Sequence, residues 1–200
     1  MKKVLIINSA VLLLAGISVA SQEPSESSTA VLARQLESKL EQLSNRAGAP
    51  SAIQETVVVT EPEINAYLEE RMREAENAGV VSLNVTLREN ARVSIEAVID
   101  FSSLDETKRR GALDLLNYVR GQVPVRFDGT LSGRNGVGTV SVETFTVAGL
   151  PLPPAVFREL VMSYTASEGV SEGVDVSQAF ELPYEVEGLK VEHGRIVIVR

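Results

Sequence analysis

Val81-Ser82-Leu83-Asn84-Val85-Thr86-Leu87-Arg88, the turn residues Glu89-Asn90, and Val93-Ser94-Ile95-Glu96-Ala97-Val98-Ile99-Asp100-Phe101 form the stretch that decides the fold. Apolar residues fall at every second position on both arms, and polar residues mostly fill the gaps. Successive strand side chains point to opposite faces, so this period builds two strands with one apolar face each. The short polar break between the arms makes them a hairpin.

The same grammar recurs twice. Val123, Val125, Phe127 and Leu131 lie on one arm, Asn135-Gly136 supplies a two-residue turn, and a second arm runs from Gly138 to Ala148. On that arm Val140 and Val142 share one parity while Phe145 and Val147 share the other. The phase slips near Glu143-Thr144, which predicts a β-bulge that bends the strand. A last hairpin turns at His193-Gly194 and closes with Ile196, Val197, Ile198 and Val199, just after Phe180-Glu181-Leu182-Pro183.

Helices separate the hairpins. Leu32, Leu36, Leu40 and Leu43 recur at helical spacing, predicting an amphipathic helix over 29–47 that ends near Gly48 and Pro50. The β-branched run 54–59 leads into Thr60-Glu61-Pro62-Glu63, a capping box with proline in the first turn. The helix it opens has a predicted stripe of Ile64, Tyr67, Leu68 and Met72. A second capping box, Ser103 to Glu106, opens a helix carrying Ala112, Leu115, Leu116 and Val119. Gly149-Leu150-Pro151-Leu152-Pro153-Pro154 stops a strand and starts a helix with Val156, Phe157, Leu160, Val161 and Tyr164 on one side. Hairpin-linked strands with helices on the apolar face define an α+β fold with an antiparallel sheet.

Ahead of these elements, residues 1–20 read as a cleavable export signal: Lys2 and Lys3, an apolar stretch from Val4 to Val19, and Ser18-Val19-Ala20 as the small-residue cleavage site. Leu14-Ala15-Gly16-Ile17 has Ile where a lipidated Cys would stand, and the chain has no cysteine, so it is not a lipoprotein by that route. Residues 21–28 read as a flexible leader, and residues 52–200 as one α+β domain. Cleavage after Ala20 removes two lysines and takes the net charge from −8 to −10. A surface this acidic is expected to repel nucleic acid and anionic lipid surfaces at long range. Without thiols, stability rests on packing alone.

Residues able to do chemistry are few. His193 is the sole histidine, beside Gly194 in a tight turn, and it reads as a solvated turn residue. Zinc sites and serine triads both need partners for it that the chain does not display in any motif. Gly133-Arg134-Asn135-Gly136-Val137-Gly138 has neither dinucleotide nor Walker spacing and reads as a hairpin turn. The pairs Glu61/Glu63 and Glu69/Glu70 read as capping and helix-surface acids, and Glu168, Glu172 and Asp175 as an exposed acidic loop. Asn84-Val85-Thr86 is formally a glycosylation acceptor, discounted beside a bacterial-type signal. Lys108-Arg109-Arg110 lies on the polar face of a predicted helix, where it suits either solvent or a lipid phosphate. The chain is therefore expected to be no enzyme, with no cofactor and no metal.

Four segments carry a resemblance: Val59-Thr60-Glu61-Pro62-Glu63-Ile64-Asn65-Ala66-Tyr67-Leu68, Val98-Ile99-Asp100-Phe101, Gly149-Leu150-Pro151-Leu152-Pro153-Pro154, and Phe180-Glu181-Leu182-Pro183 together with Ile196-Val197-Ile198. In this order they resemble LmeA-like exported bacterial phospholipid-binding proteins, of the tubular lipid-binding superfamily that includes bactericidal permeability-increasing protein. The resemblance implies a strongly curved antiparallel sheet of long hairpins wrapped around helices, with an apolar groove for acyl chains. The matching motifs are a helix cap and turn prolines, and no lipid-contact residue carries over with them.

Periodicity alone leaves two outcomes open, a closed core or a lined cavity. An acyl ligand gains ~0.8 kcal/mol per buried methylene, so a groove covering about ten carbons binds without a head-group contact. The expected function is an exported periplasmic or cell-envelope protein that binds or shuttles a phospholipid or similar amphiphile. The groove candidates are Ile64, Tyr67, Leu68, Ile95, Ile99, Val142, Phe145, Phe157 and Leu160, with Lys108, Arg109 and Arg110 for a head group. The alternative is a structural or interaction module with a filled core that docks an envelope protein.

Overall fold

A computed structural model of the chain describes residues 27–45, 55–74, 79–102, 119–165 and 175–200. The order of elements is α1 (Ser28–Asn45), β1 (Thr56–Thr60), α2 (Glu61–Glu74), β2 (Val80–Leu87), β3 (Arg92–Asp100), β4 (Gln122–Arg134), β5 (Val137–Val147), β6 (Leu150–Pro151), α3 (Pro154–Thr165), β7 (Phe180–Glu181), β8 (Gly188–Glu192) and β9 (Arg195–Val199). The expected export signal, most of the leader, the helix carrying Lys108, Arg109 and Arg110, and the acidic repeat at 167–174 lie outside the described residues. Among the described residues no helix is long and apolar enough to cross a membrane.

The fold is α+β with a strongly curled antiparallel sheet. Its strands run β1-β9-β8-β4-β3-β2, with β5 on the other edge of β4 and the two-residue strands β6 and β7 on the outer edge of β5. β4 organises the sheet. Gln122 to Thr130 pair with β3, and Ser132 to Arg134 pair with β8 once β3 has turned away. The first strand and the last close the far side, Thr56 opposite Val199 and Thr60 opposite Arg195.

The phase slip is a real bulge. Asp128 faces Thr144 and Gly129 faces Val142, so Glu143 has no opposite residue on β4. The extra residue resets the parity and puts Val140, Val142, Phe145 and Val147 on one face. Gly129 is needed there, because a Cβ would stand 2.3 Å from the Ser141 carbonyl oxygen and 2.6 Å from the Phe127 ring. At the hairpin tip Asn135 and Gly136 both take positive φ, 51° and 77°, matching the right-handed twist of the strands they join.

Two sequence expectations change. Strand β5 does not simply stop at Gly149: Ala148 and Gly149, with φ of 52° and 76°, form a second two-residue turn into β6 before α3 begins at Pro154. The described part of α1, Ser28–Asn45, packs on α2 and buries Ala33, Leu36 and Leu43, while the expected end near 47 lies outside the described residues. Helix α2 has no single buried stripe. Its fully buried residues are Glu63 and Ala66, because the helix is covered twice, by the sheet and by α1. Ile64 and Leu68 face the sheet and Tyr67 faces α1.

Candidate functional site

The apolar parity of four strands builds one continuous inner face. Val93, Ile95, Ala97 and Ile99 of β3 stand opposite Gly129, Phe127, Val125 and Val123 of β4. Leu83, Val85 and Leu87 extend the face on β2, and Val140, Val142, Phe145 and Val147 extend it on β5.

Each end of this face is sealed under a helix. Below α2, Val85, Leu87, Val93 and Val191 form a buried cluster against which Ile64 and Leu68 pack. Below α3, Ile99, Phe101, Val123, Val125, Phe145 and Val147 enclose Val156 and Leu160. Phe157 stacks on Phe127 with ring centroids 4.6 Å apart and tilts against Phe145 at 5.3 Å. Such ring pairs add about 0.5–1.5 kcal/mol beyond area burial.

Between the sealed ends runs a seam. Ile95 and Leu131 border the α2 cluster, Val142 and Phe157 border the α3 cluster, and Val140 stands opposite Leu131. All five are only half-buried.

The nine groove candidates therefore divide. Ile64, Leu68 and Ile95 gather at the α2 end, while Ile99, Val142, Phe145, Phe157 and Leu160 gather at the α3 end. Ile99, Phe145 and Leu160 are core residues, with 7%, 1% and 7% of their surface accessible. Tyr67 stands apart, in a hollow of about 230 Å³ between α1 and α2 with Arg71 5.0 Å over its ring. A larger hollow, about 490 Å³, lies around Ser82, Asn84, Glu96, Val98, Pro124, Arg126 and Gly149.

Polar side chains fix α2 over its end of the sheet. Asn65 Nδ2 donates to the Val85 carbonyl (2.9 Å) and its Oδ1 accepts the Val85 N–H (2.7 Å), replacing the strand that β2 lacks on its free edge. The Leu87 N–H donates to Glu61 Oε2 at 2.7 Å. Glu63 closes the capping box by accepting the Thr60 N–H and hydroxyl at 2.8 and 2.9 Å. Lys39 of α1 reaches the same carboxylate at 2.6 and 2.8 Å and also donates to the Val58 carbonyl. Burial pushes the Glu63 carboxyl up, but the Lys39 and Thr60 hydrogen bonds outweigh it and hold it below the usual glutamate range.

Sequence reasoning missed Asn65, Lys39, Leu131 and Val140 as site-forming residues. Leu131 and Val140 share the parity of residues already singled out, so the signal was present. Asn65 and Lys39 act across long sequence separations and leave no local signature.

Other polar candidates have structural explanations. His193 is exposed in the turn between Glu192 and Arg195. Asp175 accepts the Ser177 hydroxyl and N–H and a Gln178 amide bond, and these bonds, the hydroxyl foremost, hold its carboxyl low. Asp128 is held low chiefly by Arg126, which also bonds Glu96 across the outer face. Among the described residues no group of three His, Asp or Glu stands ready to hold a metal ion.

Against this geometry, the comparisons are brief. No family model and no curated protein matches the chain.

Proposed function

We propose that this protein is an exported bacterial cell-envelope protein that binds an amphiphile, with its acyl portion laid along the seam between α2 and α3. The observation that carries this reading is the seam itself: half-buried Ile95, Leu131, Val140, Val142 and Phe157 on a curled sheet whose two ends are closed. Filling a partly accessible apolar strip with methylenes is favourable at ~0.8 kcal/mol each. The resemblance to LmeA-like and tubular lipid-binding proteins supports the same reading, and so does the signal-like segment 1–20. Binding and transfer of this kind need no reaction and no cofactor.

The test is mass spectrometry of organic extracts from the mature protein, purified from an export compartment without detergent. A mock purification and an unrelated exported protein serve as controls. About one lipid per chain supports the reading and names the ligand class. A folded, stable and lipid-free protein overturns it in favour of a filled interaction module, the reading favoured by the closure of Ile99, Phe145 and Leu160 under α3.

A further inference from the structure

The turn that the sequence did not announce lies in an unusual stretch. Residues 144–157, Thr-Phe-Thr-Val-Ala-Gly-Leu-Pro-Leu-Pro-Pro-Ala-Val-Phe, carry no charge in a chain whose charged content is 23%. Part of this stretch is core: Phe145, Val147 and Val156 are buried. The part between them is outside. Leu150 is 67% accessible, the highest value among the exposed large apolar residues described, and Ala148, Pro151, Pro153 and Pro154 are exposed with it.

Register extends this apolar tip across one end of the sheet. The Ala148 N–H donates to the Pro124 carbonyl at 2.8 Å, Pro124 pairs with Val98, and Val98 pairs with Ser82 beside the bulged, half-exposed Val81. Neighbouring strands stand about 4.8 Å apart, so these residues form one rim.

A contiguous exposed apolar patch rimmed by polar residues marks a protein or membrane contact site. What distinguishes this one is its backbone. Pro151, Pro153 and Pro154 have no N–H to satisfy. The N–H groups of Leu152 and Val156 donate within the tip, to the Phe145 and Pro153 carbonyls at 2.8 and 2.9 Å. Leu150 pairs with Val147 across the turn. An element entering hydrocarbon has to meet its backbone donors internally, and this tip has largely done so. Its lack of charge suits a neutral apolar layer, not an oppositely charged protein face.

We infer that the Ala148–Pro154 tip is a bilayer-docking element, which dips Leu150 and its prolines into the interfacial region of a lipid membrane. The inference deepens the amphiphile reading and rests on it for its purpose, since a carrier has to meet the surface it loads from.

The chain has no tryptophan, so a single Leu150→Trp substitution gives a clean fluorescent reporter. Val137→Trp is the control, 42% accessible and next to the Asn135-Gly136 turn at the opposite end of β5. Both variants are titrated with phosphatidylcholine vesicles, and circular dichroism checks their folding. The expected result is a blue shift and protection from an aqueous quencher for Leu150→Trp only, with vesicle partitioning reduced roughly tenfold or more by Leu150→Asp. No shift at position 150 in folded protein, or an equal shift at 137, overturns the inference. A soluble single-chain fluorescent fatty acid, titrated in the absence of vesicles, reads the seam separately. Bound fatty acid with no shift at 150 rejects the tip and keeps the seam, while absent fatty-acid binding rejects the seam.

Discussion

The two helices that close the inner face do so by different physics. Helix α2 is pinned by directional bonds: Asn65 to both backbone groups of Val85, Glu61 to Leu87, and Glu63 to Thr60 and Lys39. Helix α3 is seated by apolar surface, Val156 and Leu160 in the cluster and Phe157 on two other rings. A hydrogen bond is lost when its geometry shifts by an ångström, whereas packed side chains slide at modest cost if the space stays filled. The comparison assigns the two ends separate tasks. The α2 end fixes the register of the sheet edge, and on the amphiphile reading the α3 end is the one that yields to a ligand.

The largest effect is expected in the buried aromatic packing under α3. Phe145→Ala removes a ring that is 1% accessible and undercuts Phe157 at the same time. A loss of about 3–5 kcal/mol is the usual cost of such a cavity, read as a fall in the urea midpoint. If the loss is below about 1 kcal/mol, the α3 cluster is not a packed core and the contrast between the two ends fails. A smaller but still large effect belongs to the α2 end. Asn65→Ala leaves the N–H and carbonyl of Val85 without partners at a free sheet edge, at about 1–3 kcal/mol. Hydrogen exchange should rise at Val85 and Leu87 while the amides of β5 stay protected, which separates a local unpinning from global softening.

The same two ends differ in how legible they were. Strands, hairpin turns and the bulge at Glu143 followed from period-two patterning and from Asn135-Gly136, because a strand writes its face into every second residue. The Thr60–Glu63 box was equally local. What sequence could not display was pairing at a distance: β1 against β9, β4 shared between β3 and β8, and α1 against α2. Nine groove residues were chosen by parity and helical stripe, and eight of them lie in or against the two apolar clusters. Tyr67 does not, because helical spacing shows that a residue belongs to an apolar face and says nothing of which neighbour covers it. For the same reason the half-exposed seam was not separable from buried core until the strands were assembled.

The smallest effect concerns the Lys39–Glu63 link that ties α1 to the capping box. Glu63 is 4% accessible and the Lys39 side chain 28%, so solvent still reaches one partner and weakens the pair. Lys39→Met is expected to cost about 1–2 kcal/mol, between the values for exposed and for fully buried pairs. Proton linkage gives a sharper reading than the magnitude. The folded protein holds the Glu63 carboxyl below its ordinary value, so the unfolded chain binds that proton first as pH falls. The stability it contributes is complete above the ordinary glutamate range and drains away as the pH drops through the lowered folded value. Urea midpoints measured from pH 7 down to pH 3 should therefore fall for the wild type, and the fall should be shallower in Glu63→Gln. An unchanged slope in that variant would mean that the carboxylate is not what pins α2 and α1 together. The directional half of the contrast would then rest on Asn65 and Glu61 alone.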